Sequence, residues 1–443
     1  MMRKTIIAAL LAAAPFVVSA QQATASDQIE PLKKGGACEQ ISSQDYRARV
    51  LEYSLSLRES SEQTEAVRQA MREAKTAFLP SLDFSGSAQY RVSDYDLDMM
   101  GQSISMKPES YTLAGDLHTT LYGGGAVRAG YEASKIQHEI AAKSEELTRT
   151  NVVYSAELNY WTTAAKFALW QLTDQYVALI EEQTSVIRDR FNEGLISKTD
   201  LLQIEGRLAS AKIQRSEAYK SYLVSLQNLN IMMGCEPLNP VGTSEMINRK
   251  DEIPESVMSL DAALDRRSEY AISEFNVDFQ KNQLKLNRSK FLPRLTIGMK
   301  AGWGTQMLNF DGTTMWNTYA YASLSVPIFH WGAKYKNVAS QKALLRSKEF
   351  AVQRVRDQIS KELYEAYTKL VEYDKQIDLA KEACETTKES LDLNTFSYNE
   401  GKLPIVDVLS AQVAWVQSNS ALIQAWLQEK IAFADYNKAI GEN

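Results

Sequence analysis

Two aspartates stand out by their placement. Asp200 and Asp407 each follow an Asn-Glu-Gly turn, Asn192-Glu193-Gly194 and Asn399-Glu400-Gly401, so they occupy one place in two copies of a segment. Carboxylates repeated around an opening attract cations and set selectivity. An Asp in the first turn of a helix also caps it and matches its dipole; the sequence leaves both readings open. Other chemistry is sparse. The three His residues (His118, His138, His330) and the three Cys residues (Cys38, Cys235, Cys384) are too few and too scattered for a zinc site or a disulfide framework. Gly123-Gly124-Gly125 precedes a helical stretch but lacks the Lys-Ser/Thr of a phosphate loop, and reads as a strand-to-helix transition. No nucleophile–base pair or metal-ligand spacing emerges, so no catalytic residue, metal or cofactor is assigned and the chain is read as non-enzymatic.

The elements that position the aspartates follow from a repeat. Phe78-Leu79-Pro80 recurs as Phe291-Leu292-Pro293, and Gly125-Ala126, Asn230 and Gly234 recur as Gly332-Ala333, Asn437 and Gly441. The offset falls by six between the first pair and the second, which places a longer loop in the first copy. No Gly or Pro lies between Gly130 and Gly194 or between Gly332 and Gly401; these intervals predict single helices about 95 to 100 Å long. Leu158, Trp161, Ala165, Ala168, Leu172 and Leu179 step by three and four in the first copy. Leu370, Ile377, Cys384, Leu391 and Tyr398 recur at strict sevens in the second. Sustained heptads imply rods packed lengthwise, with Cys384 a small core residue and Trp161, Trp415 and Trp426 packing groups. Each rod is followed by a short turn and a returning helix, with Pro404 suited to a first helical turn. Shorter helices are expected over about 44–76 and 259–289.

After each Pro the period changes from 3.6 to 2. Leu82, Phe84, Gly86, Ala88 and Tyr90 alternate with polar residues, as do Leu295, Ile297, Met299, Ala301 and Trp303, and return strands are expected over 113–121 and 320–328. Such strands, about ten residues long with one polar and one apolar face, match transmembrane β-strands. Tyr90, Tyr111, Trp303 and Trp316 sit near their ends, as interfacial aromatics do, and His118 falls on the polar, lumen face. Four strands cannot close a membrane barrel, so copies must share one; three would supply twelve strands. Composition agrees: Gly and Pro number only 20 and 10 in 443 residues, and the net charge of −6 shows no basic excess anywhere, which argues against nucleic acid. A mean hydropathy of −0.32 argues against a bundle of spanning helices. Arg3 and Lys4, the apolar stretch to Val18 and the Val18-Ser19-Ala20 site read as a signal peptide over residues 1–20.

These features together resemble the TolC-type outer-membrane efflux protein family. The resemblance rests on both Phe-Leu-Pro strand entries, Leu324-Ser325-Val326-Pro327-Ile328-Phe329, the turns Phe191 to Ser197 and Tyr398 to Gly401, and Ile405 to Gln412. It implies a mainly α fold with β, two tandem repeats of β-hairpin plus long coiled-coil helices. Three chains would form a 12-stranded outer-membrane β-barrel continued by a periplasmic α-helical barrel. Residues 44–234 would be repeat 1 and 259–443 repeat 2, with an N-terminal periplasmic segment at 21–43 and an equatorial linker at 235–258. It further implies a passive export duct of a tripartite efflux or type I secretion system, with a periplasmic adaptor, an inner-membrane pump and outer-membrane lipid as partners. Asp200 and Asp407 would then ring the periplasmic entrance, where the family's further Asp is replaced by Gln203 and Ser410 and where Lys198 offsets charge. Gly194, Leu195, Ser197, Gly401 and Leu403 would form the adaptor-docking tips, and Cys38 and Cys235 could pair in the equatorial belt in the oxidising periplasm. The other reading is a soluble periplasmic coiled-coil adaptor or scaffold.

Overall fold

Two helices of 67 residues each set the scale of the molecule. At 1.5 Å per residue each is about 100 Å long. The computed structural model describes residues 39–92, 96–99, 102–105, 107–248, 250–305 and 312–442; the expected signal peptide and Cys38 lie outside the described residues. In order the elements are β1 (Glu39–Ile41), α1 (Ser43–Tyr53), α2 (Leu55–Thr76), β2 (Ser81–Tyr90), β3 (Asp96–Met99), β4 (Gln102–Ser105), β5 (Glu109–Tyr122), α3 (Ala126–Asn192) and α4 (Lys198–Met232). After β6 (Val241–Thr243) in the connecting segment, the second copy follows as α5 (Leu260–Arg266), α6 (Ser268–Ser289), β7 (Arg294–Thr305), β8 (Thr314–Ser325), α7 (Ala333–Asn399) and α8 (Ile405–Ile440).

The rods α3 and α7 run the whole helical length, and the shorter helices pack beside them. α2 and α6 lie along α3 near the strands, α4 and α8 lie along it beyond, and α7 packs on α6 and α8. The second copy's heptad is borne out at Leu370, Ile377 and Leu391, which are buried, while Cys384 and Tyr398 are half-buried; Leu363, seven residues before Leu370, is buried as well. In the first copy the seam is displaced. Ala165 and Leu172 are buried as expected, but Leu158, Trp161, Ala168 and Leu179 are only half-buried, and Ala156, Tyr160, Val177 and Ile180 carry the core. The cause is that α3 has neighbours on several sides, so small and polar residues such as Thr163 and Ala164 also face inward.

Three boundaries differ from expectation. The short helices over 44–76 and 259–289 are each broken in two, at Ser54 and Arg267, whose ψ angles of 112° and 116° leave the helical region. α3 begins at Ala126 and passes through Gly130. The return strands start earlier, at Glu109 and Thr314, because ladder pairing extends to Tyr90–Glu109 and Thr305–Thr314.

The four long strands form one antiparallel sheet in the order β2-β5-β7-β8, so β2 and β8 are its edges. Its register puts Asp83 opposite Asp116, Asp116 opposite Lys300, and Ser81 opposite His118. The alternate positions hold Leu82, Phe84, Leu117, Met299 and Trp316, all exposed. The sheet is thus polar on one side and bare hydrocarbon on the other. On the polar side His118 Nε2 is 3.2 Å from Ser81 Oγ, and the Tyr321 hydroxyl donates to Asp116 at 3.0 Å.

Candidate pore and docking site

Both rods end in the same local structure. Gly194 (φ +77°) donates to the Phe191 carbonyl and Leu195 to the Arg190 carbonyl, both at 2.9 Å. Gly401 (φ +70°) and Lys402 repeat these bonds to Tyr398 and Ser397, again at 2.9 Å. This double bond pattern, with a left-handed Gly, satisfies the last carbonyls of a helix and stops it. A Cβ at either Gly would meet nothing within 4 Å, so glycine is required there by φ and not by space. Leu195 is 70% exposed, Leu403 half-buried, and Ser197 and both glycines exposed.

The two tips lie together. Ile187 and Ile204 of the first copy share a core with Leu391, Ile405, Val408 and Leu409 of the second. Arg190 lies 5.5 Å over the Tyr398 ring, and Gln412 bonds Gln183. Asp200 and Asp407 therefore sit in the first turns of neighbouring helices at one end of the molecule, but in different states. Asp200 closes a capping box: its carboxylate accepts from the Ser197 hydroxyl at 2.9 Å and backbone N–H at 3.3 Å, while Ser197 Oγ accepts from the Asp200 N–H. Asp407 follows Pro404, which offers no side-chain cap; its N–H bonds the Pro404 carbonyl at 3.2 Å and its side chain is exposed.

Sequence reasoning missed three polar features above the tips. Arg267, 6% exposed at the break between α5 and α6, bonds Glu269, Glu362 and the carbonyls of Lys438 and Ala439. Burial works against its charge, but the two carboxylates outweigh it and hold the guanidinium ionised. Midway along the rods, Lys250 and Asp251 of the segment after β6 strap onto repeat 2. Lys250 Nζ reaches Asp374 and Asp378 at 2.8 and 2.9 Å, Asp251 N–H donates to Glu429, and Lys430 reaches Asp251 at 2.8 Å. Glu429 is 0% exposed; burial pushes its carboxyl upward, against the Asp251 N–H and Lys430. The strap continues through Ile247, packed on Trp426 and Ile377, to Met258, whose N–H bonds the Tyr436 hydroxyl. Single buried charges at element breaks carry no sequence pattern, which is why they were not foreseen. The third feature corrects an expectation: residues 281–294 and 333–348 hold ten Lys and Arg and no Asp or Glu.

Cys235 and Cys384 are free among the described residues. No helix among them is long and apolar enough to cross a membrane, and no three His, Cys, Asp or Glu residues gather as metal ligands.

The sequence profile described as outer membrane efflux protein matches residues 47–235 and 259–442. The outer membrane protein TolC of Escherichia coli (strain K12) is 21% identical over 413 residues, 87% of this chain and 79% of that protein. The alkaline protease secretion protein AprF of Pseudomonas aeruginosa is 30% identical over 158 residues, 34% of this chain and 32% of that protein. The CmeC outer membrane channel of Campylobacter jejuni superposes with a TM-score of 0.78 at 20% identity, over 90% of this chain and 85% of that one. The open-state MtrE outer membrane channel of Neisseria gonorrhoeae gives 0.75 at 19% identity, over 90% and 89%.

Proposed function

The chain belongs to the outer membrane efflux protein family, and from that premise we propose that it is the passive outer-membrane duct of a tripartite efflux or type I secretion system. The observation that carries this reading is the four-stranded sheet with a bare apolar face and two unpaired edges, mounted on rods about 100 Å long. An open edge in lipid leaves backbone groups without partners. Because β2 and β8 run in opposite directions, the β8 edge of one copy beside the β2 edge of the next continues the antiparallel alternation. Two copies would give eight strands, whose interior side chains fill; three give twelve and leave a lumen. The same closure brings α4 of one copy beside α7 of the next, which accounts for exposed Ile213 and Val224 on the first and Leu379 and Leu393 on the second. Residues 235–258 would then lie as part of a belt around the middle of the helical cylinder.

The tips at Gly194, Leu195, Ser197, Gly401 and Leu403 are assigned to a periplasmic adaptor. Asp200 and Asp407 form a six-carboxylate ring at the entrance, and an inner-membrane pump supplies the energy. Membrane fractionation, heat-modifiable trimers and conductance in planar bilayers test the duct; a monomer in the soluble periplasm would favour a scaffold instead. For the docking tips, Gly194→Glu and Gly401→Glu are expected to abolish export while trimers remain in the membrane. Export that persists removes the assignment.

A further inference from the structure

The junction between strands and rods differs between the repeats. Repeat 1 turns through Gly124 (φ +62°) and Gly125 (φ +82°); repeat 2 turns through Trp331 (φ +46°) and Gly332 (φ +77°). Trp331 is the one non-glycine residue at positive φ among the described residues. An L-residue in that region is strained, and a large aromatic more than most. Nothing within the protomer compensates: the side chain is 90% exposed, touching the Phe329 ring at 4.9 Å. Strain retained at an exposed group points to a contact outside the chain.

Three further observations say what that contact is. First, Trp316, Thr318, Ala320, Ala322 and Leu324 share the apolar face of β8 through their pairing with β7. Val326 and Ile328 follow just past the end of β8 at Ser325, and both are exposed, Ile328 to 91%. Exposed apolar side chains thus continue from the apolar face of the sheet to the foot of α7. Second, the ten cations of residues 281–294 and 333–348 line the adjoining ends of α6 and α7, because α6 packs on α7 and Gln280 bonds Gln341 at 2.8 Å, and of the ten only Lys281 has a carboxylate partner, Asp278, among the described residues. The corresponding stretches of repeat 1, residues 68–81 and 126–141, hold five cations and three acids. Third, a cleft of about 540 Å³ between these helices is walled by Arg288, Lys334 and Lys342 over Leu292, Tyr335 and Val338. None of the three cations has a carboxylate partner among the described residues.

We propose that this rim of repeat 2 binds anionic phospholipid of the inner leaflet, resting on the outer-membrane reading above. Arg288, Lys334 and Lys342 hold the phosphate headgroup, the floor of the cleft takes the start of an acyl chain, and Trp331 and Ile328 seat at the boundary between headgroups and chains. Clustered basic residues beside an apolar surface draw acidic lipid by just this combination, and Trp favours the interface because its ring is apolar and its N–H polar. A second copy of the chain is the competing occupant, since Trp331 follows an edge strand. The lack of a carboxylate partner for Arg288, Lys334 and Lys342 among the described residues favours the lipid.

The test uses the intact trimer reconstituted in phosphatidylethanolamine vesicles with or without phosphatidylglycerol. Native mass spectrometry should find phosphatidylglycerol retained by the wild type. The R288Q/K334Q/K342Q variant should hold it about tenfold less or weaker still, while R288K/K334R/K342R retains it. Brominated phosphatidylglycerol should quench part of the tryptophan emission that is absent in W331G, a substitution that relieves the backbone. Equal retention by the charge-neutral variant, or equal quenching in W331G, overturns the proposal. So does W331G falling to monomers in unheated detergent, which would assign the rim to a subunit interface. A conducting outer-membrane trimer indifferent to phosphatidylglycerol defeats this inference alone; a soluble protein defeats the channel reading itself.

Discussion

The two repeats have rods of equal length and turns of equal geometry, yet matched positions are held by different chemistry at every height. At the break before each sheet, Ser54 caps α2 with its hydroxyl, whereas Arg267 is a buried ion gripping two carboxylates and two carbonyls. Midway, repeat 1 stacks Phe167, Trp170, Tyr219 and Tyr222, with Trp170 and Tyr222 nearly parallel at 5.7 Å. The matching places in repeat 2 hold Asp374, Ile377, Trp426 and Glu429, tied to Lys250 and Asp251. The midway difference has one physical source. The segment after β6 straps onto repeat 2, and a strap without regular structure must satisfy its backbone and charges on side chains of the rods. Repeat 1 at that height is covered by its own aromatics and needs no such partners.

Removing a group from the two breaks should separate them most. Arg267→Ala removes a buried ion that ties two part-exposed carboxylates to two backbone carbonyls and is expected to cost about 2–3 kcal/mol. Ser54→Ala loses one cap, about 1 kcal/mol. Urea unfolding of the detergent-solubilised protein measures both, and equal losses would mean that the Arg267 network contributes no more than a cap. Next comes the junction. Gly124→Ala puts a methyl 2.6 Å from Leu292 Cβ at φ +62°, which should cost about 2 kcal/mol from strain and overpacking. Trp331→Gly at the matching place should leave unfolding unchanged within about 1 kcal/mol.

How much of this was readable in sequence depends on whether a feature is periodic. The rods were legible because Gly and Pro are excluded for more than sixty residues and because Leu370, Ile377 and Leu391 keep a strict seven. The sheet was legible from alternation, down to the aromatics at its ends. The seam of α3 was not, since Tyr160, Thr163 and Ala164 face inward where several helices meet and no single stripe exists. At the tips the turns were legible as Asn-Glu-Gly, but the unequal engagement of Asp200 and Asp407 was not, because it depends on Ser197 standing where the second copy has Pro404. The basic rim was missed because its two halves are separated by an entire hairpin.

The strap makes the comparison depend on pH. Glu429 faces Lys430 on its own helix, Asp251 on the strap, and Asp374 on α7, which Lys250 in turn bonds; Asp251 also presses on Glu157 of α3. Burial raises the Glu429 carboxyl above its ordinary range, so the folded state holds its proton more tightly than the unfolded one. Its contribution is therefore complete below the ordinary carboxylate range and is lost as pH rises through the raised value. Heat stability should fall over that window, and amide exchange at Asp251 should quicken beyond its intrinsic rate. Glu429→Gln should flatten both. Tyr222→Leu at the matching place should lower stability equally at every pH. A pH profile unchanged in E429Q would show that another group titrates.

The smallest expected effects on stability lie at the tips, where the two repeats differ by a single cap. Asp200→Asn weakens the capping box, because the amide is uncharged beside a helix N-terminus, and should cost about 0.5–1 kcal/mol. Asp407→Asn breaks no side-chain bond and should cost nothing measurable. Function should sort them the other way. Asp407 presents an exposed carboxylate, while the Asp200 carboxylate is occupied by Ser197, so a cation at the entrance gains more from Asp407. In planar bilayers the Asp407→Asn variant should raise the concentration of a multivalent cation needed for half-block more than Asp200→Asn does, and the double variant more than either. Conductance and block that do not change in the double variant would return both aspartates to helix capping and dipole matching, and the comparison between the tips would then concern folding alone.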